Sequence, residues 1–246
     1  NRPDTVTYAH GAPRSLTEEV RIISFNDVEG ARKAIAEVGD ELAAVLVDPM
    51  PSRVGMPQVE QEFIFALREA TRSVGALLIL DEVITYRLAI GGAQTIYSFD
   101  PDLTALAKII GGGFPVGAIA GREEVMNVFA AVQGGTYTAN PITMAAGLAC
   151  MKELQKSAFS RLEIVGQMIR SGVRDSFDSF GLDWQVTGAG SLFRIHPHGR
   201  PIRSYRDAMH SSDESQFMLN FQQRLLEREV YFSGYGMGCL NLSLIH

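Results

Sequence analysis

The chain has 246 residues with a formal net charge of −6; 46% of them are hydrophobic and 20% charged. That is enough apolar material for one large domain, or for a domain with a smaller companion, while the mild acidity offers no electrostatic hold on nucleic acid or an anionic membrane. No apolar run approaches the roughly 18 residues that cross a bilayer and no charged-then-apolar leader opens the chain, so the expectation is a cytoplasmic protein that binds neither nucleic acid nor membrane.

Residues 1–17, polar and broken by Pro3, Gly11 and Pro13, read as an extended connector. Ile22-Ile23-Ser24-Phe25 predicts a short strand, and Asn26-Asp27 can cap a helix over 28–38. The apolar stretch 42–47 predicts a buried strand that closes on Asp48-Pro49, followed by a loop through Pro51, Gly55 and Pro57. Phe63, Leu67 and Ala70 share one face of a helix over 60–73, with Gly75 as its stop. Next comes Ala76-Leu77-Leu78-Ile79-Leu80, an apolar run that ends in two carboxylates, Asp81 and Glu82. Strand, helix, strand in this order predicts parallel pairing with a right-handed crossover, and the Asp81 strand near the centre of the sheet.

A carboxylate at the end of such a strand stands where open α/β sheets hold their ligands. Alone, Asp81 fits a helix cap or a metal ligand equally well. A second apolar run, 103–107, leads into Lys108, then Ile109-Ile110 and Gly111-Gly112-Gly113. Apolar flanks predict a partly desolvated amine, which favours the neutral, nucleophilic form, and the glycines allow close backbone approach. An aspartate that can pair with a pyridinium nitrogen and a lysine that can form a Schiff base are the groups that pyridoxal phosphate (PLP) chemistry asks of a protein. The glycine cluster matches neither nucleotide motif: Val116 occupies the third glycine of G-x-G-x-x-G, and Ala118-Ile119 follow Gly117 where a P-loop has Lys-Ser or Lys-Thr.

Further on, 116–120 predicts a strand, 123–132 a helix, 142–155 a long helix behind Pro141, and 160–180 another. Strand-like pieces at 185–187 and 192–195, a polar loop at 196–203, a helix at 214–228 and Val230-Tyr231-Phe232 complete the pattern. The chain divides into a large domain, 1–156, and a smaller α+β domain, 157–246. Cys150 and Cys239 predict buried free thiols, not a disulfide or zinc framework. His196-Pro197-His198 has no neighbouring carboxylate or cysteine to complete a ligand set, so no metal site is expected. Arg87 is open between a substrate carboxylate and the surface.

The block from Leu78 to Gly147 resembles the class III PLP-dependent aminotransferases, through Asp81-Glu82-Val83, Gly91-Gly92-Ala93-Gln94, Pro101-Asp102-Leu103, Lys108 with its three glycines, Pro115-Val116-Gly117-Ala118 and Gly135-Thr136-Tyr137-Thr138-Ala139-Asn140-Pro141. Within that class it is most similar to the branch of glutamate-1-semialdehyde 2,1-aminomutase and its aminotransferase relatives. The resemblance implies an α/β PLP-transferase fold of type I: a mostly parallel sheet with flanking helices plus a smaller C-terminal α+β domain. It also implies that both ends of this sequence are cut and that an N-terminal part with the phosphate-cradling loop is missing.

By resemblance Lys108 forms the Schiff base and carries protons, Asp81 holds the pyridine nitrogen, Val83 packs on the ring, and Gly135 and Thr136 reach the cofactor phosphate of a partner subunit. The protein is thus expected to be a homodimer with active sites at the subunit interface, moving an amino group from an amine or amino acid to a carbonyl acceptor. Intramolecular transfer by a 2,1-aminomutase uses the same residues, and a PLP-fold binding protein without activity is a third reading. Asp48-Pro49 departs from the Glu-Pro usual in the family. The absence of an acidic residue in Gly234-Tyr235-Gly236-Met237-Gly238 favours the aminotransferase.

Overall fold

The computed structural model describes residues 5, 7, 10–13, 15–129 and 134–243. Two sheets carry the fold. The first has strands β1 (Ala44–Val47), β2 (Leu77–Asp81), β3 (Leu103–Ala107) and β4 (Gly117–Gly121), in that spatial order. β1, β2 and β3 pair in parallel and β4 returns antiparallel to β3. The Asp81 strand is therefore interior, as the strand–helix–strand pattern predicts.

After a single helical turn, α1 (Ser15–Glu18), the helices α2 (Val28–Val38) and α3 (Gln61–Val74) cover one face of this sheet. Asp27 caps α2 by accepting the Gly30 N–H at 2.9 Å. Phe63, Leu67 and Ala70 form the buried stripe of α3, against Leu78 and Leu80 of β2. Ile23 and Phe25 pack on the same core, but without a strand partner, so the strand predicted there does not form. Asp102 binds the start of β3 to its neighbours: Oδ2 accepts the Leu78 N–H at 2.7 Å and pairs with Arg68 at 2.8 Å, both side chains largely buried. These bonds hold the Asp102 carboxyl below the usual range against the opposing effect of burial.

Beyond the short α4 (Ala93–Ile96), α5 (Glu123–Phe129) occupies part of the predicted 123–132 helix, whose remainder lies outside the described residues. α6 (Pro141–Glu153) and α7 (Lys156–Ser179) follow. Then comes the second sheet, β5 (Gln185–Thr187), β6 (Leu192–His196) and β7 (Met237–Cys239), all antiparallel, with α8 (Ser212–Leu226) inserted between β6 and β7. Its core joins Phe177, Val186, Ile195, Met218 and Phe232. Residues 230–232 form no strand; β7 takes that place. Both cysteines are free, yet Cys150 is half-buried and Cys239 exposed, so the expected burial is not found. Among the described residues no helix is long and apolar enough to cross a membrane.

Candidate active site

Three parallel strands deliver three chemically capable residues at their carboxyl ends. Asp48 follows β1, Asp81 closes β2 and Lys108 follows β3. Val47 stands beside Leu80 and Asp81 beside Ala105, so this end of the sheet gathers all three. This is the crevice where open α/β sheets bind ligands.

Asp81 is half-buried, and its Oδ1 accepts the Val83 N–H at 3.0 Å. Its other oxygen accepts no hydrogen bond among the described residues. β2 ends at Asp81, so Val83 lies in the turn that follows, and its backbone fastens Asp81. The next carboxylate, Glu82, has a structural task. Fully buried, it accepts N–H groups from Ala93 at 2.6 Å and Gln94 at 3.0 Å and the Thr85 hydroxyl at 3.3 Å, anchoring α4. Burial raises its carboxyl above the ordinary value despite those bonds.

Asp48 feels its neighbours directly. Burial pushes its carboxyl up to about 7; the Asp81 and Glu82 charges add to the rise, while the Met50 N–H and Lys108 oppose it. The Met50 N–H is 2.9 Å from Asp48 Oδ1. Near neutrality the Asp48 carboxyl is therefore partly protonated beside Asp81.

Lys108 is exposed and makes no hydrogen bond or ion pair among the described residues, so the desolvation expected from its apolar flanks is absent. The reason is local geometry. Lys108–Gly111 is a single tight helical turn, in which Ile109 packs towards Leu154 and Phe159 while Lys108 lines a cavity. Lys108 adopts φ +53°, a left-handed conformation that costs a non-glycine residue about 1–2 kcal/mol. Contact with α6 holds it there. A Cβ at Gly112 would lie 2.4 Å from the Ala146 carbonyl, and one at Gly147 would lie 2.3 Å from the Ile110 carbonyl. Asn140 in turn starts α6 by accepting the Ile142 and Thr143 N–H groups at 3.0 and 3.3 Å.

The cavity has a volume of ≈ 440 Å³, and Lys108, Ile84, Ser52, Arg194, His210 and Tyr235 contribute to its wall. Arg194, on β6, is the residue that sequence reasoning overlooked. It is 7% exposed, and it donates from Nε to the Tyr235 carbonyl at 3.2 Å and from Nη1 to the Ser52 carbonyl at 2.6 Å. A guanidinium in the apolar run Leu192-Phe193-Arg194-Ile195 was the available signal, since buried charges need a purpose. Arg87 is committed elsewhere: it donates to Ser191 Oγ at 2.8 Å and to the Leu240 carbonyl at 2.9 Å, tying the first sheet's side to the second. It is therefore not a free surface residue. Gly135 and Thr136 sit in an exposed turn before α6, with no hydrogen bond to Asp81 or Lys108.

Residues 196–203 differ from the polar loop read in the sequence. His196 is the last residue of β6 and fully buried, His198 is 5% exposed, and His210, just before α8, lies against both.

The sequence model of the family described as aminotransferase class-III matches residues 9–233. The chain is 39% identical over 244 residues to the glutamate-1-semialdehyde 2,1-aminomutase of Methanothermobacter thermautotrophicus, covering 96% of this chain and 57% of that one. Its structure is similar to an ω-transaminase from Sphaerobacter thermophilus, with 43% identity and a TM-score of 0.94 over 98% of this chain and 56% of that one. It is also similar to a transaminase solved with PLP bound, with 34% identity and a TM-score of 0.84 over 95% of this chain and 55% of that one. The chain thus spans little more than half the length of these relatives.

Proposed function

We propose, since the chain belongs to the aminotransferase class-III family, that the protein is a PLP-dependent aminotransferase that moves an amino group from an amino acid or amine to a carbonyl acceptor. The observation that carries this reading is the meeting of Asp48, Asp81 and Lys108 at one end of the parallel strands. The donor set suits the cofactor: among the described residues Asp81 keeps one oxygen without a hydrogen-bond donor, and Lys108 lines a cavity of ≈ 440 Å³.

When bound, PLP supplies an electron-withdrawing ring and an aldehyde carbon that takes up amines. Asp81 would hold the proton on the pyridine nitrogen, a charge-assisted hydrogen bond of about 1.5–3 kcal/mol. Its orientation comes from the Val83 N–H, and Asp48, partly protonated near neutrality, limits the negative charge collected beside it. Lys108 Nζ would hold the cofactor and, once free, would serve the substrate carbon as general base and then acid. The strained backbone at Lys108, braced by α6, aims that amine. Arg194 offers its remaining Nη2 to a substrate carboxylate, so amino acids are the favoured donors.

A homodimer completes the site in this reading. α6 exposes Ile142, Met144 and Leu148, and the turn before it exposes Tyr137, apolar surface available to a second subunit. Gly135 and Thr136, exposed just before α6, would serve the partner's cofactor phosphate, and Val83 would flank the ring. We also assign 1–156 to a large cofactor-binding domain and 157–246 to a small one, placing the protein in the cytoplasm. The aminomutase name of the Methanothermobacter relative favours a second reading, intramolecular amino transfer on a semialdehyde.

The test uses the full-length protein. Borohydride reduction in the presence of PLP is expected to attach the cofactor at Lys108, read by peptide mass, and to attach none in Lys108→Ala. Equal attachment in that variant refutes the assignment. Supplying glutamate-1-semialdehyde with no acceptor then separates the two reactions: 5-aminolevulinate formation selects the aminomutase, and its absence together with transfer to an added keto acid selects the aminotransferase.

A further inference from the structure

Among the described residues, five buried side-chain nitrogen or oxygen atoms lack a hydrogen-bond partner, and four of them lie in one place: His196 Nδ1, both ring nitrogens of His198, and His210 Nε2. A buried polar atom without a partner costs about 1–3 kcal/mol, so their collection at one point calls for a shared occupant. We propose that His196, His198 and His210 bind a divalent first-row transition cation, zinc above all. One ligand atom from each imidazole lies within 4.8 Å of the others. Tetrahedral zinc with Zn–N bonds of about 2.0–2.1 Å needs them about 3.4 Å apart, which small side-chain rotations supply.

The His196 ring is oriented as a ligand is, and the segments that carry His198 and His210 are held through their backbones. His196 Nε2 lies 3.1 Å from the Gly55 carbonyl and 3.0 Å from Thr187 Oγ1, which itself donates to that carbonyl at 2.6 Å. A carbonyl only accepts, so the proton belongs on Nε2 and the lone pair on Nδ1, which is the free atom. The backbone at His198 is held through its carbonyl by Gln185 Nε2 at 3.0 Å. Arg200 joins the Met209 carbonyl at 3.3 Å to Glu214 at 2.7 Å, fixing the segment that carries His210.

Charge limits the choice of ion. Glu214 favours a cation but is already held by Arg200 and the Ser211 N–H, while Arg194 and Arg200 oppose one. Three neutral nitrogens and no oxygen ligand exclude calcium and magnesium in favour of zinc, cobalt or nickel, with water as the fourth ligand. The ion would fasten β6 to the segment before α8. Because His210 also lines the cavity shared with Lys108, it would stiffen that wall.

The test uses untagged full-length holoprotein, freed of metal by a chelator and titrated with Co²⁺. One equivalent per chain is expected, with visible ligand-field bands of tetrahedral intensity. His198→Gln and His210→Gln are each expected to weaken binding more than about 100-fold, since losing even an outer partner of a ligand costs about 10–100-fold. Substoichiometric binding by the native protein, or unchanged affinity in both variants, overturns the site. X-ray absorption of the zinc-loaded native protein gives a readout that needs no variant: three imidazoles are expected, and fewer than two refute the proposal.

Discussion

Asp48→Asn is the sharpest probe of the carboxyl end of the sheet. The native Asp48 carboxyl is raised from 3.8 to about 7, chiefly by burial and further by Asp81. Below the lower value both folded and unfolded chains hold the proton, and the residue costs nothing. Between the two values the folded chain keeps a proton that the unfolded chain has lost, so stability falls as pH rises. Above about 7 the cost is complete and constant. At about 1.4 kcal/mol for each pH interval it amounts to about 2–4 kcal/mol, the lower figure allowing for the partial solvent contact of Asp48.

Asparagine keeps an oxygen for the Met50 N–H but cannot ionise. Denaturant midpoints of cofactor-free protein at several pH values from 4 to 8 are therefore expected to converge near pH 4. The variant should gain steadily on the native protein up to about pH 7. Parallel profiles, or a gap that closes towards pH 8, refute the buried, Asp81-coupled carboxyl.

Arg87→Met removes two charge-assisted hydrogen bonds and strands the Ser191 hydroxyl and Leu240 carbonyl, costing about 2–5 kcal/mol in the denaturant midpoint. A raised KM with unchanged stability would return Arg87 to substrate binding. Arg194→Gln is expected to raise KM about 10- to 100-fold for amino acid donors but not for amines that lack a carboxylate, the contrast being the steady-state measurement that decides. In Gly147→Ala the new methyl meets the Ile110 carbonyl at 2.3 Å, lowering stability by about 1–3 kcal/mol and the fraction of cofactor trapped at Lys108. Gly172→Ala, within α7 with nothing inside 4 Å, is the control and should gain about 0.5–1 kcal/mol.

Local signals were legible wherever one segment carried the whole cause. The Asp27 cap, the buried stripe of α3 and the order of Asp81, Lys108 and the glycines depend on spacing within a few residues, and the structure repeats them. The Ile22–Phe25 strand failed because a strand needs a neighbour, and its apolar residues found the core without one. Val83 stands two residues beyond the end of the strand, in a turn whose backbone fastens Asp81.

By itself the sequence determined the family, the parallel arrangement with Asp81 inside it, and the order of Asp81, Lys108 and the glycines, since apolar runs, caps and glycines act along the chain. Only the tertiary structure decided which charges meet. Asp48 joins Asp81 and Lys108 because adjacent parallel strands end together; Arg87 is consumed by Ser191 and Leu240; and Arg194 reaches the cavity from the second sheet. His210 completes a histidine cluster from beyond an intervening loop. These groupings arise from long-range packing, which brings together residues whose separation in the chain conceals their contact.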